Sequence, residues 1–312
     1  MPKPSIYRVF GLTVRCEFEL PELLPIEPRP DTDVTIRLGP VEAPSDEAGL
    51  YSSERALVLV VPDVADYRIE EGRTITVQPA SGVPERNVRL YLLGSAIGAM
   101  LHQRGLLPFH ASAVEIEGSA VAFIGPSGAG KSTLAAWFHD HGHRVIADDV
   151  CVVRVNGDGR AYAVPGMPRL RLWQDVLEAS GRRANDYERS YAGDESWNKF
   201  DVPLVHAGEA SGEVELKALY VLVRSDEFRI RPLDGIEAAE AIFANTYRGA
   251  YLSAVRGEQG HWLASIGLVR GTPVYAFERP SDLSRMSDGL TLVLAHARAA
   301  EPLAAGREAL RS

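Results

Sequence analysis

Residues 125–132 read Gly-Pro-Ser-Gly-Ala-Gly-Lys-Ser, and this pattern constrains the fold more than any other feature of the sequence. It follows a predicted strand at 119–124 and precedes a predicted helix with Leu134, Trp137 and Phe138 on its inward face. A strand, this pattern and a helix in that order are typical of a phosphate-binding P-loop, whose glycines let backbone N–H groups converge on phosphate oxygens. The alternative is a glycine-rich turn that matches the pattern by accident.

The residues of this P-loop have distinct expected roles. Lys131 is expected to reach the β- and γ-phosphates of a nucleotide, and the Ser132 hydroxyl is expected to bind Mg²⁺. ATP, or another nucleoside triphosphate, and Mg²⁺ are therefore the predicted cofactors. The predicted nucleotide contacts are Gly125, Pro126, Ser127, Gly128, Ala129, Gly130, Lys131, Ser132 and Thr133. A P-loop alone does not distinguish transfer to water from transfer to a substrate.

Two adjacent aspartates, Asp148 and Asp149, follow a predicted strand at 144–147. Ligands of open α/β sheets bind where strands end, so one carboxylate, assigned to Asp148, could hold Mg²⁺ directly or through water. The other, Asp149, could accept a proton from an attacking hydroxyl. An acidic turn in solvent is the alternative. His110, before a predicted hairpin at 111–124, could orient the acidic residue or a phosphate, or could be a packed structural histidine.

Three basic residues are weaker candidates for phosphate or substrate binding. Arg169 and Arg171 are two apart on a predicted strand, so both guanidinium groups would project from one face and could grip a phosphate or a peptide carboxylate. A solvated strand face is the alternative. Lys199 stands out because lysine is scarce in this chain and aromatic residues flank it, but ordinary surface placement would also explain it.

The composition indicates a globular protein with two domains. At 312 residues and 46% apolar content the chain can build a large core. Residues 1–84 contain β-branched runs at 55–61 and 73–77 and are expected to form a small β-rich domain, with 78–84 as the best linker. Residues 85–312 then form the domain that carries the P-loop. Its expected start is a helix with its apolar face at Leu90, Leu93, Ile97 and Leu101.

Charge and cysteine usage narrow the partners and the compartment. The net charge of −9 argues against general affinity for nucleic acid or an anionic membrane. Cys16 and Cys151 lack the spacing of a metal or redox motif and are expected to be buried thiols. Residues 1–13 lack a signal-peptide pattern, and the longest apolar run is too short to cross a bilayer, so a cytoplasmic protein is expected.

Residues 109–112 (Phe-His-Ala-Ser), the P-loop and residues 141–149 (His-Gly-His-Arg-Val-Ile-Ala-Asp-Asp) together resemble the catalytic domain of HPr kinase/phosphorylase, a serine kinase family. In that family a catalytic histidine lies before the phosphate loop. An aspartate after an Arg-x-Val/Ile-Ala-Asp-Asp strand is the proton acceptor. The resemblance assigns these roles to His110 and Asp149, and it implies an α/β P-loop kinase domain preceded here by the β-rich domain.

Shorter segments look like the HPr-kinase-like proteins of lasso-peptide clusters, which phosphorylate the carboxy-terminal serine of a precursor peptide. These segments are residues 7–12, 20–23, 101–108, 169–173 and 273–275. The resemblance therefore implies a kinase whose partner is a peptide or protein with an acceptor serine. A regulator similar to HPr kinase/phosphorylase and a nucleotide-binding switch protein are the alternatives.

The chain departs from the HPr enzymes downstream of the aspartates. Those enzymes carry a Glu-Ile-Arg-Gly metal-binding segment, whereas this chain has Val-Pro-Gly-Met-Pro-Arg at 164–169. The departure argues against a second metal ligand and against the reverse phosphorylase reaction. The sequence leaves the acceptor, the nucleotide preference and the oligomeric state open, a homo-oligomer included.

Overall fold

The computed structural model describes residues 4–53, 56–194, 196–204 and 212–299. Within these ranges the chain forms three β-sheets and eight α-helices. The strands are β1 (Ser5–Val9), β2 (Leu12–Cys16), β3 (Val34–Leu38), β4 (Gly49–Ser52), β5 (Ala56–Val61), β6 (Ala65–Glu70), β7 (Thr74–Pro79), β8 (Leu107–Phe109), β9 (Ala111–Ile116), β10 (Ser119–Ile124), β11 (Val145–Ala147), β12 (Cys151–Val155), β13 (Ala161–Val164), β14 (Arg169–Trp173), β15 (Glu188–Arg189), β16 (Lys199–Pro203), β17 (Val214–Arg224), β18 (Arg229–Leu233) and β19 (Val274–Arg279). The helices are α1 (Glu85–Tyr91), α2 (Ile97–Gln103), α3 (Lys131–Asp140), α4 (Gln174–Ala179), α5 (Gly235–Ala244), α6 (Tyr251–Ala254), α7 (Glu258–Gly271) and α8 (Met286–Ala299).

The first sheet contains seven strands in the order β1-β2-β3-β7-β6-β5-β4. Alternation explains why its strands form: in β6, Ala65, Tyr67 and Ile69 are buried while the residues between them are more exposed. The pairs β2–β3 and β3–β7 are parallel, and the other neighbours are antiparallel. The predicted linker at 78–84 is wrong at its start, because Gln78 and Pro79 belong to β7 and continue its pairing with β6.

A helical segment follows the first sheet, as predicted, but it is not a uniform α-helix. α1 and α2 are joined by a π-helical turn at Leu92–Ala96, which the apolar period does not reveal. Leu93, Ile97 and Leu101 are buried, whereas Leu90 is half-buried. Gly105 ends the segment with a φ of +67°, a conformation that suits glycine.

The second sheet holds nine strands and carries the P-loop. β9 and β10 form the predicted hairpin, and β11 pairs antiparallel with β9. On the other side of β10, β17 and then β19 run parallel to it. β13 pairs with the first residues of β17, β12 pairs with β13, and β8 pairs with β12 at the edge. The parallel strands β10, β17 and β19 therefore all end at the edge where the P-loop begins.

The third sheet is small, with β16 between β14 and β15. Leu170, Leu172 and Phe200 of this sheet pack in one core with α3 and α8, so the small sheet lies against the P-loop helix. Both cysteines are free and buried, as the sequence predicts. In the part of the chain that the structure describes, no helix has the length and apolar character needed to span a membrane.

Candidate functional site

Two short connections between strands bring His110 and the aspartates together. His110 lies between β8 and β9, and Asp148 and Asp149 lie between β11 and β12. β8 pairs with β12 and β9 pairs with β11, with Phe109 opposite Cys151 and Ala113 opposite Ala147. The two connections must therefore cross side by side. This topology explains how residues nearly forty positions apart come into contact.

The P-loop curls tightly between β10 and α3. Lys131, the first residue of α3, is buried, and its ammonium donates to the carbonyls of Gly125 at 2.8 Å and Pro126 at 2.9 Å. Gly130 has a φ of +91°, and a Cβ there would collide with the guanidinium of Arg279. The backbone conformation therefore favours glycine at position 130, and a side chain there would push the guanidinium of Arg279 away from the loop.

Burial lowers the pKa of Lys131 to about 8. Asp148 and Asp149 act in the opposite direction, and Lys199 adds to the lowering. These influences show that both carboxylates and the second lysine are close enough to Lys131 to act on its charge.

Asp148 is buried, and both of its carboxylate oxygens accept hydrogen bonds. The Ser112 hydroxyl donates to Oδ1 at 2.6 Å, and the backbone N–H of Arg171 donates to Oδ2 at 2.8 Å. These bonds link β9, the aspartate pair and β14. The alternative of an acidic turn in solvent is therefore wrong for Asp148, which is 2% exposed.

Asp149 has a φ of +68°, which a side chain rarely adopts and which is common at functional sites. Nη1 of Arg171 lies 2.8 Å from its Oδ2. Burial acts to raise the pKa of Asp149, but Arg171, with help from Lys199 and His110, outweighs it and holds the pKa well below the ordinary value. Asp149 is therefore ionised at neutral pH.

His110 is fixed by its neighbours. Its Nδ1 lies 3.0 Å from the carbonyl oxygen of Asp149, and its backbone N–H donates to the carbonyl of Asn245 at 2.9 Å. Because a carbonyl only accepts, Nδ1 carries the proton in this contact and Nε2 is free to accept. Burial and then Lys131 lower the pKa of His110, against the opposite effect of Asp149, so the ring is neutral at pH 7.

Arg169 and Arg171 share a face, as predicted, but that face is buried rather than solvated. Asp201 of β16 accepts from Nη1 of Arg169 and lies 3.5 Å from Nε of Arg171. The Ser190 hydroxyl donates to Asp201 at 2.7 Å. Both guanidinium groups are thus held by carboxylates, and Arg171 in particular connects Asp201 to Asp149.

A cavity of about 370 Å³ opens at the P-loop. This volume falls within the usual range for small-molecule sites. Lys199 lines it, with its ammonium 5.8 Å from the centre of the Trp173 ring. Asp148 and Asp149 are not among the lining residues, but Asp149 contacts two that are, His110 and Arg171. The lining is mostly cationic or loop backbone, and it comprises His110, residues 127–133, Arg171, Leu172, Trp173, Asp175, Val176, Lys199, Arg224, Arg279, Ser281 and Leu283.

Comparison with known proteins shows that one segment of the chain is similar in sequence to HPr kinase/phosphorylases. The enzyme of Chlorobium phaeovibrioides is 44% identical over 50 residues, which cover 16% of this chain and 15% of that protein. The enzyme of Chlorobium limicola is 40% identical over 58 residues, covering 19% and 16%. The matched part thus spans about 15% of the length of these curated relatives. The similarity to HPr kinase/phosphorylase is real but partial.

No family model matches the chain. Among solved structures, the Hpr(Ser) kinase/phosphatase from Coxiella burnetii is 15% identical with a TM-score of 0.31, and the alignment covers 61% of this chain and 96% of that chain. A TM-score of this size is too low to indicate a shared fold. Any functional proposal beyond this partial similarity therefore has to rest on the residues of the site.

The donor set near the P-loop suits Mg²⁺. Mg²⁺ prefers oxygen ligands and is commonly bound by one or two protein groups together with substrate phosphates. Ser132 and Asp148 supply a hydroxyl and a carboxylate, and each oxygen of Asp148 keeps a lone pair beyond the hydrogen bond that it accepts. Among the described residues there is no group of three or more histidine, cysteine or acidic side chains that could hold a metal by itself.

Three further residues of the site were not identified from the sequence. Asp201 alternates with Lys199 on a short strand, which is the pattern that could have indicated a shared face. Tyr247 is buried beside His110, with ring centroids 6.2 Å apart. Arg279 is the last residue of β19, the third parallel strand to end at this edge. Their places in the site depend on tertiary packing, which no local pattern encodes.

Proposed function

We propose that this protein is an ATP- and Mg²⁺-dependent kinase that transfers the γ-phosphoryl group of the nucleotide to a serine hydroxyl of a peptide or protein. One observation carries the proposal: the P-loop, His110 and Arg171 line a single cationic cavity, and Arg171 is paired with Asp149. The partial similarity to HPr kinase/phosphorylases supports the same class of reaction. A cationic cavity at a P-loop suits a polyphosphate better than a neutral ligand.

In the proposed reaction, the loop N–H groups and Lys131 hold the phosphates. Ser132 and Asp148 would hold Mg²⁺, which when bound neutralises phosphate charge. The serine oxygen attacks the γ-phosphorus, the bond from that phosphorus to the ADP oxygen breaks, and the serine proton passes to Asp149. Nε2 of His110 carries no proton, so it can accept a hydrogen bond from the serine hydroxyl and orient it.

The proposed acceptor is the carboxy-terminal serine of a lasso-peptide precursor. The support is the resemblance of residues 7–12, 20–23 and 101–108, and of shorter segments beyond them, to the kinases of lasso-peptide clusters. Lys199 is the cation best placed to attract the acidic end of such a peptide, because Asp201 and Asp149 already hold Arg169 and Arg171. The cell compartment proposed for this reaction is the cytoplasm.

The test is to incubate the protein with ATP, Mg²⁺ and the precursor peptide, and to measure the added phosphate by mass spectrometry. We expect the wild-type protein to phosphorylate the peptide. Turnover should be at least about 100-fold lower in Asp149→Asn, which is the usual contribution of a positioned proton acceptor. Nucleotide affinity should change little. Asp158→Asn is the control, since Asp158 lies in an exposed turn.

Two results would contradict the proposal. Equal turnover in the wild type and in Asp149→Asn would remove Asp149 from the reaction. Nucleotide binding without phosphate transfer to any peptide would favour a nucleotide-binding switch protein. The tight Arg171–Asp149 pair is the observation that favours this second candidate, because an ion-paired carboxylate of low pKa is a weak base.

A further inference from the structure

Arg279 is a buried arginine at the edge of the nucleotide cavity. It is 7% exposed, lines the cavity and ends β19. Its Nη2 donates to the carbonyl of Ala129 in the P-loop at 3.2 Å, and its Nη1 donates to the carbonyl of Pro280 at 3.3 Å and contacts Sδ of Met286 at 3.1 Å. The guanidinium therefore touches the loop backbone directly.

The charge of Arg279 has no carboxylate to balance it among the residues that the structure describes. Its three contacts are two carbonyls and a thioether, and its Nε has no hydrogen-bond partner in that part of the chain. Burial lowers the pKa of Arg279, and no acidic group offsets the effect. Arg169 and Arg171 are also buried, but Asp201 and Asp149 balance them. A buried charge without a counter-charge is costly, so natural proteins keep it where a ligand supplies the opposite charge.

The strand order shows which part of a nucleotide Arg279 would meet. The P-loop follows β10, the aspartates follow β11 on one side, and Arg279 ends β19 on the other side. The transferred phosphate must lie toward Asp149. A cation on the opposite flank of the P-loop therefore faces the phosphates that stay with the nucleotide after transfer.

We propose that Arg279 is a nucleotide-binding residue whose guanidinium is the counter-charge of the non-transferred phosphates, which are common to ATP and ADP. The inference rests on the proposed function and adds to it a specific binding residue. It also explains the glycine at position 130, because any side chain there would displace the guanidinium from the loop. The role is in binding, and the chemical step does not depend on it.

The test compares ADP affinity in the wild type, Arg279→Met and Arg231→Met by isothermal titration calorimetry, with apparent melting temperatures measured without ligand. We expect Arg279→Met to raise the Kd of ADP at least tenfold and the KM of ATP similarly, with kcat within about threefold. Because the variant removes an unbalanced buried charge, its ligand-free melting temperature should be unchanged or higher. Arg231→Met should bind ADP like the wild type, since Arg231 lies on β18 and pairs with Glu237 and Glu278.

An unchanged Kd in folded Arg279→Met would overturn the proposal, as would a lower melting temperature with wild-type affinity, which is the pattern of a structural residue. If Arg279→Met does not fold, Arg279→Lys and Arg279→Gln replace it: the proposal requires affinity to fall from wild type to Lys to Gln, and equal affinities overturn it. Failure of the proposed kinase is a separate result: the wild type then binds ADP but transfers no phosphate to a peptide, and the ADP affinities of the variants still decide the role of Arg279. If the wild type binds neither ADP nor ATP, inorganic pyrophosphate is the probe used with the same variants.

Discussion

Asp149 combines two properties that oppose each other in a proton acceptor. Its left-handed backbone directs the carboxylate toward Arg171 and His110, which suits a fixed position in a site. The same ion pair holds its pKa well below the ordinary value, which makes it a poor base. In the proposed reaction, proton transfer to Asp149 becomes favourable only late, when the serine oxygen has bonded to phosphorus and its proton has become acidic. Asp149 would therefore orient the hydroxyl first and accept the proton afterwards.

The pKa of Lys131 is about 8, so the charge of this side chain changes at mildly alkaline pH, where binding and stability can both be measured. If Lys131 binds the phosphates as proposed, binding requires its ammonium form, so the Kd of ADP should rise by up to about tenfold per pH unit above pH 8. Stability should increase over the same range in which binding weakens. Between about pH 8 and pH 10.5, the ordinary pKa of lysine, the unfolded chain binds one more proton than the folded protein. The free energy of unfolding therefore rises with pH in this window.

The measurement is ADP titration calorimetry and urea unfolding from pH 7.5 to 9.5, for the wild type and Lys131→Met. Lys131→Met lacks the titrating group and should lose both trends. Parallel pH curves for the two proteins would show that Lys131 keeps its proton throughout this range, and would contradict the prediction.

At the scale of elements, the P-loop unit was predictable and the strand order was not. The hairpin at 111–124, the helix after the loop and the strand before the aspartates all follow from apolar period and turn residues, and the structure confirms them. Local patterns do not specify which distant strands pair. The parallel pairing in the first sheet, the placement of Asp201 beside Arg171 and the placement of Arg279 beside the P-loop arise from such pairing and could not be read from the sequence.

The packing of α2 against Tyr247 can also be tested. A Cβ at Gly98 would lie 2.9 Å from Cε1 of Tyr247, a buried ring that cannot move aside cheaply. Gly98→Ala should therefore lower the free energy of unfolding by about 1–3 kcal/mol, as overpacking does. This sign is opposite to that of an ordinary helical Gly-to-Ala change.

Gly267 is the matched control for Gly98. It lies inside α7, and a Cβ there would meet nothing within 4 Å. Gly267→Ala should therefore raise the free energy of unfolding by about 0.5–1 kcal/mol through helix propensity alone. Urea unfolding of both variants gives the comparison. Stabilisation by both changes would mean that the Tyr247 ring has room beside α2.

At the scale of the whole molecule, the first sheet and the P-loop part share a core. Ile36, Tyr67 and Ile75 of the first sheet belong to one buried cluster with Leu92 and Met100 of the helical segment. The same cluster includes side chains that come from beyond the P-loop: Val150, Val152, Val164, Met167 and Tyr247. The predicted division into domains 1–84 and 85–312 remains a prediction. The core of the first sheet is completed by side chains of the second part, which also holds two buried clusters of its own.

A shared core predicts that the chain unfolds in a single transition. All four tryptophans, Trp137, Trp173, Trp197 and Trp262, lie in 85–312, so tryptophan fluorescence reports on that part alone. Far-UV circular dichroism also reports on the strands of the first sheet. We expect the two signals to give the same urea midpoint, because unfolding of the first sheet would expose the apolar side chains of the second part that complete the common cluster. Separate midpoints, with a circular dichroism change that leaves fluorescence unaltered, would show that the first sheet unfolds independently. The contacts of Val150 and Tyr247 with the cluster would then contribute little to stability.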